Sequence, residues 1–143
     1  MSSTSSESRG GARSDGGDVV RVGLGLFGVY LVGIALWAVV APGAFYEELG
    51  RFGPRNDHYI HDVAAFQAAT GLLLLLAIRW PTWRVPALTV GSFEFGLHAI
   101  SHAVDLRDAD PRWVGVFELV GLVLGTAVLI WLLARAVRVV PTG

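Results

Sequence analysis

IHDVAAFQAATGLLLLLAI, residues 60–78, decides the fold. After Ile60 it carries two polar residues, passes through mostly small side chains and ends in an unbroken apolar block with no charge after Asp62. About 20 residues at 1.5 Å per residue match a hydrocarbon core roughly 30 Å thick, so the stretch has spanning length. Lipid offers no partner to a backbone N–H or C=O, and only a helix satisfies every such group within one segment. The stretch therefore reads as a transmembrane helix.

Three neighbours have similar character, at about 22–40, 85–104 and 113–133. The chain of 143 residues is 53% hydrophobic and 16% charged, with a mean hydropathy of +0.56. A soluble domain carries about 25% charge, and the deficit fits a surface that faces lipid. Pro42, Pro54, Pro81, Pro86 and Pro111 fall at or near the ends of these segments, where proline does least harm to a helix. The expected fold is all-α, a four-transmembrane-helix bundle.

Residues 1–18 are mostly Ser, Gly, Arg and Asp, and cannot bury enough apolar area to offset their chain entropy. They are expected to form a disordered cytoplasmic tail, with the membrane domain over 19–138 and a C-terminal tail over 139–143. The apolar run that follows the tail is long for a signal-peptide core, and a cut after Ala41 would meet Pro42, so no cleavage is expected.

Arginine placement sets the orientation. Odd-numbered crossings group Arg9, Arg13, Arg21, Arg79, Arg84, Arg135 and Arg138 on one side. The other side holds Arg51, Arg55, Arg107 and Arg112, diluted by acidic residues. The excess puts both termini in the cytoplasm. Trp80 and Trp83 then lie in the inner aromatic belt, Trp37 and Trp113 in the outer one. RWPTWR is short enough only for a tight helical hairpin, whereas 41–59 has room for a short surface helix.

Composition excludes several classes. Absence of cysteine removes disulfides and thiolate chemistry. A net charge of −1 gives no electrostatic reason to expect nucleic acid. The expected partners are the lipid bilayer and, beyond it, a membrane protein or a second copy of the chain.

Histidine occurs only at His58, His61, His98 and His102. The first pair enters the second span and the second pair leaves the third, so the topology brings all four to one outer rim. His58, His61 and Asp62 follow helical spacing, as do Glu94, His98, His102 and Asp105. Glu118 enters the last span near the same end. An ionisable group within a span costs roughly 2.5–3.5 kcal/mol on insertion scales, so such groups face the bundle interior and pair.

Imidazole and carboxylate suit a first-row transition metal, and His-x-x-x-His on a helix presents two ligands together. The candidate metal set is His58, His61, Asp62, Glu94, His98, His102 and Glu118. Two histidines from different helices could instead clamp a haem iron. A third reading is a proton relay or quinone pocket. A plain structural network of interfacial hydrogen bonds, knitting the second and third spans together, accounts for the same residues.

Gly23, Gly25 and Gly28 match the dinucleotide fingerprint in letters only, because the motif needs a preceding strand. Close helix packing accounts for them better. Gly121 and Gly125 form a GxxxG pair suited to packing within the bundle or to dimerisation. By helical angle Gln67 points away from His58 and Asp62, which leaves it outside the candidate site, and Tyr30 reads as a space-filling residue.

PGAFYEELG after the first span, DVAAFQAATGLLLLLA in the second and the polar exit of the third resemble the DoxX-like superfamily of small bacterial membrane proteins. The resemblance covers about residues 20–135. It implies a four-helix fold and an envelope-associated role, and some members are linked to quinone or thiosulfate oxidation. The histidines depart from that pattern, so no catalytic residue is carried over. Beside the metal or haem reading stand a non-catalytic accessory subunit and a quinone-linked oxidoreductase.

Overall fold

The computed structural model describes residues 7–139. It is all-helical: α1 (Glu7–Val40), α2 (Pro42–Glu48), α3 (Asp57–Arg79), α4 (Arg84–Val104) and α5 (Arg112–Val139), with one 3-10 turn at Pro81–Trp83. Among the described residues there is no strand, only an isolated bridge between Phe52 and Ala109. α1 reaches back to Glu7, into the segment expected to lack structure; once a helix is nucleated, each added residue gains a hydrogen bond. Residues 1–6 of that tail and 140–143 of the other lie outside the described residues.

Three helical stretches are long and apolar enough to cross a membrane: Gly17–Val40, Asp57–Arg79 and Arg112–Arg138. At most 33% of the most apolar window of any of them is buried inside the protein. Leu26, Val29, Phe66, Phe117 and Leu124 all point outward. Apolar surface on that scale needs an apolar solvent, so the chain reads as a membrane protein. α4 coincides with the third expected span but falls outside these three. Its own Glu94, His98 and His102 dilute its apolar character.

The four long helices form a ring in which α1 packs against α3 and α5, and α4 packs against the same two. Leu24, Leu74, Leu88, Leu129 and Leu132 meet fully buried near one end, every long helix contributing. A smaller cluster of Ala35, Ala38, Ile60 and Ala64 lies towards the other, closed by Phe45 and Tyr46 of α2. Backbone approach is tightest between α1 and α3. A Cβ on Gly28 or on Gly71 would stand 3.0 Å from the other's carbonyl oxygen. At Gly23 it would overlap Leu132. The GLGLFG run is thus a packing surface.

Hydroxyls inside the helices are satisfied locally. Thr89, Ser92 and Thr126 each donate to the carbonyl four residues earlier, at 2.8, 2.7 and 2.7 Å. Such back-bonding removes a donor that lipid could not satisfy.

Candidate functional site

The polar site sits where α4 and α5 meet under the α2–α3 connection. α4 carries Glu94, His98 and His102 at four-residue spacing, which stacks them on one face. The two imidazoles lie nearly parallel, with ring centroids 4.8 Å apart and an interplanar angle of 25°. Nε2 of His98 is 2.9 Å from Nε2 of His102, a hydrogen-bonding distance.

His102 also faces α5: its Nδ1 lies 3.4 Å from Oε2 of Glu118. Both side chains are nearly buried, at 14% and 13% exposure. Neither of these two atoms has a well-aligned hydrogen-bond partner among the described residues. The result is a row of three groups, His98–His102–Glu118, with His102 in the middle and its Nδ1 turned toward the carboxyl.

One turn below, the Glu94 carboxyl sits beside the Thr70 hydroxyl of α3. Its Oε2 and Oε1 of Gln67 are buried without hydrogen-bond partners among the described residues. Above, Phe52 stands edge-on to His102 with centroids 4.6 Å apart. The Phe52–Ala109 bridge and the Asp110 N–H donating to the Arg51 carbonyl at 3.0 Å tie the two end loops together there. Phe52 thereby covers His102.

The seven candidate ligands divide. His98, His102 and Glu118 come together, and Glu94 follows one turn away on the same helix face. His58, His61 and Asp62 are exposed. His58 pairs with Asp62 at 3.6 Å along its own helix, and among the described residues no hydrogen bond or ion pair joins these three to α4. The reason lies in the face of α3. Ile60, Ala64, Thr70, Gly71, Leu74 and Ala77 point inward, which turns His58 and Asp62 outward. The same rotation turns Gln67 inward, on the side of α3 away from His58 and Asp62. Among the described residues no group of three or more His, Asp or Glu side chains is arranged to hold a metal ion.

Phe52 is a further neighbour that sequence reading passed over. Helical spacing carries no signal for a loop residue folded over α4. Comparison of the chain with family models, curated proteins and solved structures finds no match.

Proposed function

We propose that the protein is a four-crossing membrane protein, with both termini cytoplasmic, whose extracytoplasmic end carries an acid–base site for proton exchange. His98, His102 and Glu118 form the exchange chain, and Glu94 continues it toward the middle of the membrane. On this reading α4 is the third crossing despite its polar residues, because its length and its place in the ring match those of the other spans. The arginine distribution supports the orientation.

The observation that carries the reading is the place of His102 between two groups, with Nε2 at hydrogen-bonding distance from His98 and Nδ1 3.4 Å from Oε2 of Glu118. An imidazole flanked at both nitrogens can accept a proton on one side as it releases one on the other. Two imidazole nitrogens on one tetrahedral metal at 2.0–2.1 Å would stand roughly 3.3 Å apart. The separation of 2.9 Å suits a shared proton better. The resemblance to DoxX-like proteins adds a direction: protons exchanged here would serve a lipophilic, quinone-like partner.

The test is infrared difference spectroscopy on purified protein in liposomes through a pH jump, with metal analysis of the same sample. A carboxyl band that vanishes in Glu118→Gln and shifts in His102→Phe is the expected result. A Glu118 band indifferent to His102→Phe, or stoichiometric bound metal, overturns the proposal. The absence of native cysteine makes the topology directly testable. A cysteine at Asp108 should react with an impermeant maleimide in intact cells, and one at Thr82 only after permeabilisation.

A further inference from the structure

At the end of the bundle opposite the histidines, a cleft of about 410 Å³ is lined by Arg21, Leu75, Ile78, Arg79, Pro81 and Arg84. Three guanidinium groups from three helices share one open cavity. Their only close counter-charge among the described residues is Asp18, whose Oδ1 lies 4.0 Å from Nη1 of Arg21 with both side chains more than half exposed. Arg21 and Asp18 are also the charged groups that act on Arg84. Nε of Arg84 is buried and makes no hydrogen bond among the described residues. No side chain caps the first turn of α4, which opens at the same place, and a helix N-terminus favours an anion.

The other half of the lining is apolar. Leu75 and Ile78 belong to the leucine-rich part of α3, and Trp80 and Trp83, tilted against each other with centroids 5.4 Å apart, follow at once in the chain. Tryptophan marks the headgroup level of a bilayer. A cavity with fixed cations at that level and an apolar floor matches a phosphate carried on an acyl-chain anchor.

We infer that the Arg21–Arg79–Arg84 cleft binds a phosphate oxyanion, as presented by the headgroup of an anionic phospholipid or by free phosphate. Guanidinium groups bind phosphate oxygens through paired, charge-assisted hydrogen bonds. The bound anion offsets the mutual repulsion of Arg21 and Arg84.

Native mass spectrometry of the full-length protein, released from nanodiscs containing phosphatidylcholine with or without phosphatidylglycerol, tests it. The wild type should retain phosphatidylglycerol in preference to phosphatidylcholine. Arg79→Gln/Arg84→Gln should weaken retention about tenfold, while Arg135→Gln, whose guanidinium lies over Trp131 instead, should leave it unchanged. Inorganic phosphate, added to detergent-solubilised wild type, separates the sources. A raised melting temperature and displacement of the lipid mean that free phosphate occupies the cleft as well, and no effect of phosphate beside selective lipid retention means that the headgroup is the ligand. No preference for phosphatidylglycerol together with no phosphate-dependent melting shift overturns the inference, and needs no variant. Equal retention by wild type and the folded double variant overturns it too.

Discussion

Nε2 of His98 and Nε2 of His102 face each other at 2.9 Å, so the two rings share one hydrogen bond through identical atoms. Such a bond needs a donor on one side and a bare lone pair on the other, whatever the charge of the pair. The two histidines must therefore differ in protonation at Nε2. Nitrogen-15 solid-state spectra of the protein in liposomes should show one protonated and one bare Nε2, assigned with His98→Gln. Two histidines with the same Nε2 state would contradict the arrangement.

Gly28 and Gly71 test the packing that brings the helices together. Each would place a Cβ 3.0 Å from the other's carbonyl oxygen, and backbone cannot step aside as a side chain can. Gly71→Leu should cost about 1–3 kcal/mol through overpacking, read as a lower midpoint in detergent-induced unfolding. Gly33→Leu is the control, because a Cβ there meets nothing within 4 Å. Equal losses at the two positions would mean that the α1–α3 crossing is not the close contact described.

Much of this architecture was legible in the chain. Each long helix overlaps an apolar run, the short α2 falls in the loop that had room for it, and His98 and His102 share a face as their spacing suggested, with Glu118 of α5 beside them. What spacing could not supply was rotation. Periodicity groups His58 with Asp62 on one face but does not say which face looks inward, and the small residues Ala64 and Gly71 took that place on α3. The GxxxG pair of α5 divides for a related reason. Gly125 is pressed against Phe95, where a Cβ would lie 2.8 Å from the ring, while Gly121 faces open space. The third apolar run met a different limit, since the residues that make α4 chemically interesting also lower its hydropathy.

Phe52 should control access to the histidine pair. Its ring stands over His102, and the side chain of His102 is only 14% exposed. Phe52→Ala removes the roof without touching a polar group. Diethylpyrocarbonate should then modify His102 severalfold faster than in the wild type, with His58 and His61, already exposed, reacting at unchanged rates. Mass spectrometry of the labelled peptides separates the sites. An unchanged rate at His102 would show that water reaches the site by another route.

The start of α3 offers a last test. Asn56 has extended backbone angles, φ −136° and ψ 101°, and its Oδ1 accepts from the Tyr59 N–H at 3.2 Å, satisfying a donor that no helical carbonyl can reach. Beside it Arg55 donates to both carboxylate oxygens of Asp57, at 2.6 and 2.9 Å. The hydrogen bond holds the Arg55 guanidinium above its ordinary pKa. Replacing the cap acceptor by Asn56→Ala should cost about 1 kcal/mol, and Asn56→Gly only a few tenths. Asn56→Asp keeps the acceptor and adds a charge that the helix N-terminus favours, so its stability should match or exceed that of the wild type. Chemical unfolding in detergent ranks the three variants. A loss in Asn56→Asp equal to that in Asn56→Ala would mean that the side chain contributes something other than the cap.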